Sequence, residues 1–449
     1  MKTDQKIYDV ADIGGGVVTA AKFWARARYT NVQSMILFEK YPGPGQLNSG
    51  VDKNSQTLHF GDIEANYLLH TALHVKEAGT MVANYARIFN VNIFQRLHKM
   101  LLAVGPREIS ELRKRYDEFK NGGYPGIQWL DKNKIAEKEP KIVEGRSLNE
   151  EIAAIYSSDG HAISFQKLSE SFIENAKKSG KDLSINYNTT VIKIERNDGI
   201  YQIHTNNGIY QARVINVAAG AHSLVFAHSL GYGKEFTLLP LAGSFYISNR
   251  VLNGKVYTMQ NPDIPFAAPH GDPPFNNTNE TRFGPTAKLI PFLERHSPST
   301  FFDFIRILPR TISGWMGLIS ATLFNRRLSS FMFKNLFYDL PIIGKWLYLQ
   351  QIKKIIPSMR YRDLRFGRNI GGLRPQMIDV QKNKIVFRLH LIKGSNAIFN
   401  IAPSPGGSAC LQNAKENLQV EAGFFPNYHF DEKRFEKDLE TEIYSGAAP

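Results

Sequence analysis

Cysteine is almost absent: Cys410 is the single one in 449 residues. That excludes an internal disulfide and any cysteine-based metal cluster; no metal is expected, and a reducing compartment is the natural setting. The opening MKTDQKIYDV carries an acid at Asp4 and passes straight into a strand-like run. It lacks the apolar core of a signal peptide, so export is not expected. Long apolar runs are scarce too. Between Phe301 and Ile370 the longest uncharged stretch, Thr311 to Asn325, has 15 residues. Crossing a bilayer takes roughly 20. Acid is in deficit, 41 Asp and Glu against 55 Lys and Arg, and the net charge of +14 implies attraction to something anionic.

Most of that excess is local. Between Phe301 and Ile370 twelve Lys and Arg stand against three Asp and Glu, which places +9 of the +14 there. The same segment holds Trp315, Phe324, Phe331, Phe333, Phe337 and Trp346. Apolar faces flanked by cations suit helices lying among lipid headgroups; a solvated basic face over a buried helix is the other reading. No RNA-binding motif accompanies the charge, so nucleic acid is not an expected partner. A hydrophobic content of 43% is ordinary for a globular protein, and the length allows two domains with a sizeable core.

The chain's best-marked stretch is YDVADIGGG, Tyr8 to Gly16, followed by a helical apolar pattern through Val17, Val18, Ala20, Ala21 and Trp24 and by a second strand whose acidic end is Glu39 in MILFEK. This is the plan of a βαβ dinucleotide site, in which Gly14, Gly15 and Gly16 turn the chain and let a pyrophosphate approach the helix N-terminus. Glu39 would accept from ribose hydroxyls. Two features depart from the pattern: Asp12 interrupts the strand, and Thr19 stands at the third glycine position. An ordinary strand-to-helix turn is the plain alternative.

Polar loops follow. NSQTLHFGDIEANY has no clean period and reads as an ordered loop, with Asn54, Ser55, Gln56 and Thr57 supplying donors and acceptors and His59 a titratable group. The spacing predicts helices over much of Tyr67 to Tyr116 and over Phe165 to Lys178, a short strand near Met100 to Val104, and turns over Ile127 to Arg146. From Ser184 the period becomes two, and Asn207-Gly208 signals a type I′ hairpin turn. The strand Arg213 to Val217 runs into Ala219 and Gly220, small residues suited to a pyrophosphate. Phe236 to about 369 reads as a second domain with an antiparallel sheet and the basic helical segment. The flanking residues 1–235 and 370–449 are assigned to a discontinuous dinucleotide-binding domain. Near the end, Pro405, Gly406, Gly407 and Ser408 open a helix able to stabilise negative charge.

Four separated stretches agree: IGGG, NSQTLHFGDIEANY, GSFY with VYTMQNPDIPFAAPHGD, and GGLRPQ with APSPGGSACLQNA. Together with FGPTA, LPIIGK and KIIPS they resemble the shorter bacterial branch of the malate:quinone oxidoreductases, over nearly the whole chain. The resemblance implies an α/β fold, a Rossmann-like FAD-binding domain carrying a second, antiparallel-sheet substrate domain. It also implies an enzyme of the tricarboxylic acid cycle that oxidises (S)-malate to oxaloacetate and reduces quinone. Such an enzyme is expected in the cytoplasm, peripheral on the inner face of the cell membrane. FAD contacts are expected at Gly14, Gly15, Gly16, Glu39, Asn54, Ser55, Gln56, Thr57, Val191, Ala219, Gly220, Arg374, Pro405, Gly406, Gly407 and Ser408. Flavin-linked oxidation of L-lactate or L-2-hydroxyglutarate, and a silent membrane-surface homologue, are the alternatives.

Oxidising an alcohol beside a carboxylate needs a base for the hydroxyl proton, a hydride acceptor and cations for the carboxylates. His270, with Asp272 to orient it, is the first choice as base and His59 the second; an imidazole with an ordinary pKa of about 6.5 is available near neutrality. Arg374 suits bidentate binding of the substrate carboxylate. Arg282 or Lys255 would take malate's second carboxylate, and Gln56 and Thr57 would hydrogen-bond substrate or flavin.

Overall fold

The computed structural model describes residues 3–441 apart from 63, 65–66, 90, 260–268, 276, 278, 324–325, 341, 387–389 and 403–405; side chains are described neither at 3–5 nor at 327–328. The first sheet has the strand order His390–Gly394, Ala397–Ile401, Ile209–Val217, Thr3–Ile13, Ser34–Phe38, Asp182–Asn186. Thr3–Ile13 lies between parallel neighbours on both sides. The parallel run continues to Ala397–Ile401 and Asp182–Asn186, five strands in all, the arrangement of a Rossmann-like sheet. The hairpin Val191–Asn197 and Ile200–Thr205 pairs onto Ile209–Val217.

One face of this sheet is covered by the helices Val17–Tyr29, Phe165–Lys177 and Cys410–Glu421. Phe165–Lys177 forms as its spacing predicts. Ser164 accepts from the Lys167 amide at 3.3 Å to cap it, Leu168, Phe172, Ile173 and Ala176 are buried, and Gly180 beyond its end takes a positive φ of 75°. Trp24 is the centre of the packing, with the rings of Tyr29, Tyr85, Phe89 and Phe172 all within 5.5 Å of it. Burying such a side chain contributes roughly 1.5–3 kcal/mol.

Asp12 and Thr19, the two departures, are both built into the interior. Asp12 is buried and ion-paired to Arg26 at 2.5 Å, with Lys22 at 4.0 Å. Arg26 also holds Glu421, at 2.6 Å, so the charges join the first strand to the end of Cys410–Glu421. Burial pulls the Lys22 ammonium down to about 8, against the pull of Asp12. The Thr19 hydroxyl donates to the Ala218 carbonyl at 3.3 Å, which is how a side chain fits where the pattern has glycine.

A second sheet runs Arg365–Phe366, Tyr246–Asn249, Glu280–Gly284, His270–Asp272, Lys255–Thr258, Phe94–Val104, Ile152–Ile163, Ile127–Leu130. It is antiparallel except where Lys255–Thr258 meets Phe94–Val104. The boundary expected at residue 236 therefore does not follow the sheets. Three of these strands come from the first 163 residues, and Phe94–Val104 is longer than the predicted stretch. A four-stranded sheet, Lys288–Leu289, Phe236–Ala242, Leu373–Asp379, Lys384–Val386, joins the two parts. The turn at Asn207-Gly208 also differs, since neither residue has the positive φ of a type I′ turn. The Thr205 hydroxyl instead accepts from both amides, at 3.1 and 3.0 Å.

Among the described residues no helix is long and apolar enough to cross a membrane. The basic segment folds as the helices Phe301–Arg306, Ile312–Thr322, Arg326–Tyr338 and Ile343–Lys353. Most of the large apolar side chains that face solvent are here, including Phe302, Ile312, Trp315, Met316, Phe333, Ile343 and Trp346. Phe324 lies outside the described residues.

Candidate active site

The carboxyl ends of the parallel strands open onto a cavity of about 580 Å³. At its floor the chain turns from the first strand into the first helix through Gly14, whose φ of 101° belongs to glycine. A Cβ at Gly14 would meet the Ala218 carbonyl at 2.7 Å, and one at Gly15 would meet the Glu39 carboxylate at 2.8 Å. Glu39 accepts from the Gly15 amide at 2.5 Å and the Tyr41 amide at 2.9 Å, and burial raises its pKa against these hydrogen bonds. A glycine cradle at a helix N-terminus with an acid at the next strand end fits a dinucleotide.

The residues expected around the cofactor are largely brought together. Gly14, Gly15, Gly16, Glu39, Asn54, Ser55, Thr57, Val191, Ala219, Gly220, Arg374, Gly406, Gly407 and Ser408 line the cavity, as does His59. Gln56 does not. It is buried with a φ of 50°, and its Oε1 accepts from the Phe275 amide at 2.7 Å. Pro405, and the NPDIPFAA part of the motif before His270, lie outside the described residues.

Four candidates stand behind the wall, and the cause is visible in their partners. Asp272 is buried between Lys255 at 2.7 Å and Arg282 at 3.0 Å. Burial would raise its pKa, but Lys255 and Arg282 hold it below the usual carboxylate range. The remaining positive charge goes to backbone oxygens. Lys255 reaches the Ser55 carbonyl at 3.3 Å, and Arg282 reaches Asn54 and Ser55 at 3.5 and 3.4 Å. These cations hold the cavity loop in shape. His270 is two contacts from the cavity: Thr57 lines it, Tyr257 bonds Thr57 at 2.9 Å, and the His270 ring stacks on Tyr257 at 4.3 Å.

His59 and Arg374 occupy the positions that His270 and Arg282 do not. His59 Nδ1 is paired with the Glu64 carboxylate, which leaves Nε2 as the other ring nitrogen. Burial would raise the Glu64 pKa, but His59 and then Lys99 hold it low. The backbone around the pair is tied down from several sides. The His59 amide donates to Ser408 Oγ at 3.0 Å, Arg115 reaches the carbonyls of Gly61 and Tyr67 at 3.3 and 2.6 Å, and Tyr124 bonds that of Phe60. Asp62 pairs with buried Lys99 at 2.8 Å. Arg374 has the phenols of Tyr257 and Tyr67 as charge neighbours, and among the described residues no carboxylate acts on it. Burial lowers its pKa, against the pull of the two phenols.

Glu64, Tyr67 and Tyr257 are the site residues that sequence reasoning missed. The signal for Glu64 was its place in HFGDIE, five residues after the histidine, which only a known loop course turns into a contact.

A profile of the malate:quinone oxidoreductases matches residues 6–441. The "Probable malate:quinone oxidoreductase" of Campylobacter jejuni is 39% identical, over 97% of this chain and 99% of that one. The malate:quinone oxidoreductase of Helicobacter pylori is 37% identical, over 97% and 98%. Among solved structures, FAD-bound, dithionite-reduced L-α-glycerophosphate oxidase from Mycoplasma pneumoniae superposes with a TM-score of 0.65 at 18% identity, covering 93% of this chain and 95% of that one. Glycine oxidase from Geobacillus kaustophilus gives 0.62 at 17% identity, over 95% and 97%. The chain belongs to the malate:quinone oxidoreductase family.

Proposed function

We propose that this protein is an FAD-dependent oxidoreductase that converts (S)-malate to oxaloacetate and delivers two electrons to a membrane quinone. One observation carries the reading: a single cavity runs from the glycine cradle to a histidine backed by a carboxylate and to an arginine with no acidic partner among the described residues. FAD would be held by Gly14 to Gly16, Glu39, Ala219, Gly220 and the Gly406 to Ser408 loop, and when bound it supplies the acceptor for the substrate hydride. Arg374 binds the carboxylate beside the alcohol and so fixes which hydrogen faces the acceptor. His59 Nε2 takes the hydroxyl proton. Glu64 fixes the ring's tautomer and stabilises the imidazolium that results. The base is thus assigned to His59 in place of His270, and neither Arg282 nor Lys255 is assigned to malate's second carboxylate.

The protein is further assigned to the inner face of the cell membrane, bound peripherally. Support comes from solvent-facing Trp315, Met316, Phe333 and Trp346 on helices within residues 301–370, the segment that carries +9 of the net +14. A lipid-soluble acceptor gives those side chains a purpose. Anaerobic addition of malate to the purified yellow protein tests the reaction, with bleaching of the flavin bands as the expected result. Bleaching by lactate or 2-hydroxyglutarate, with none by malate, would move the enzyme to the neighbouring substrate class.

A further inference from the structure

Next to Glu39 the cavity is closed by a cluster of charges that the oxidation does not use. Lys40 and Tyr41 continue from the second parallel strand, His222 opens the helix His222–Ser229, and Glu294 and Asp303 come from a segment far along the chain. All five line the cavity. Glu294 is buried, accepts from the Tyr41 hydroxyl at 2.9 Å and pairs with the Lys40 ammonium. His222 stands between the two acids, 3.8 Å from Glu294 and 3.5 Å from Asp303. The Thr300 hydroxyl accepts from the amides of Leu293 and Glu294 at 3.1 and 3.2 Å, which fixes the carboxylate's direction.

In a dinucleotide fold the ribose and adenine lie at the end of this second strand, beside its acid. The segment carrying Glu294 follows Lys288–Leu289 of the joining sheet, yet its buried carboxylate is held by Lys40 and Tyr41, just beyond the strand Ser34–Phe38 of the first sheet. We infer that Glu294, held by Lys40 and Tyr41, is the catch of a clasp that closes residues 293–306 over the adenosine half of bound FAD. For the adenosine to leave, the buried Glu294 carboxylate must part from the Tyr41 hydroxyl and from Lys40, whose side chain is 35% exposed, and leaving a buried carboxylate without its donors is costly. Cofactor retention is thereby shared between the two parts of the molecule. The inference rests on FAD being the dinucleotide and is independent of which acid is oxidised.

The test is the rate at which diluted holoenzyme releases FAD, followed as the rise of free-flavin fluorescence. Glu294→Ala and Lys40→Met should each release FAD at least about tenfold faster than the parent, a change of about 1.4 kcal/mol. The double variant should be no faster than the quicker single, because the two residues act as one catch. Tyr41→Phe, a milder change, should speed release by a smaller factor and decides the matter if Glu294→Ala fails to fold. Release within twofold of the parent for both Lys40→Met and Tyr41→Phe would overturn the clasp. A protein that holds FAD as expected but is not bleached by malate would overturn the substrate assignment and leave the clasp standing.

Discussion

His59 and His270 differ less in chemistry than in access. One stands on the cavity wall with a carboxylate on Nδ1; the other is stacked on Tyr257, a layer behind Thr57. His59→Gln should therefore slow flavin reduction by malate about 10²- to 10⁴-fold, the usual contribution of a general base, while the protein stays yellow. Glu64→Gln should lose less. His270→Gln should reduce at nearly the parent rate in stopped-flow traces; a loss as large as that of His59→Gln would return the base to His270. Arg374→Lys should raise the KM for malate roughly 10- to 100-fold, the worth of a charge-assisted hydrogen bond, with FAD absorbance unchanged. The place of Arg374 on the cavity wall was legible in the sequence because GGLRP brings its own context. Which histidine reaches the cavity wall was not, because that depends on a loop whose shape is set by Arg115, Tyr124 and Lys99 from distant parts of the chain.

The first strand and its helix show what a broken motif means physically. Asp12 reads as a defect in an apolar strand, yet it anchors Arg26, which reaches Glu421 in the last third of the sequence. Asp12→Ala would leave Arg26 and Lys22 buried with too little negative charge. The expected cost is about 3–5 kcal/mol, read as a fall in the urea midpoint. The strand Ile152–Ile163 carries a second consequence. His161 is buried in it, and burial, helped by Lys99 and Arg96 and opposed by Asp159, lowers its pKa to about 4. The unfolded chain takes up that proton near pH 6.5, so the site's contribution to stability is present above 6.5 and is lost as pH falls toward 4. The slope is up to about 1.4 kcal/mol per pH unit. His161→Gln should flatten that part of the stability curve; an unchanged curve would mean other groups set the acid limit. Local signals served well for Phe165–Lys177 because cap, period and terminal glycine all sit within seventeen residues of sequence, Ser164 to Gly180. They could not show that Phe94–Val104 belongs to the second sheet, since its partners include Lys255–Thr258.

At the scale of the molecule, the solvent-facing apolar side chains and the positive charge share one region, residues 301–370. Withdrawing a large apolar side chain from water is worth roughly 1.5–3 kcal/mol. Trp315→Ser with Trp346→Ser should then weaken binding to anionic phospholipid vesicles at least about tenfold in a sedimentation assay. Malate oxidation with a soluble acceptor should be retained. Added salt should weaken the parent's binding as well. Vesicle binding equal to the parent's in the double variant would leave the patch as an ordinary surface.

The strand Ala397–Ile401 pairs with Ile209–Val217 and so completes one side of the nucleotide-binding sheet. Because a ribosome makes that strand late, the growing polypeptide must wait through nearly two hundred further residues with the Ile215–Val217 part of that edge open, the hairpin covering only Ile209 to Ala212. Production of this protein should accordingly be limited by holding a half-built sheet soluble until translation ends. Fragments that stop before Ala397 are expected to aggregate.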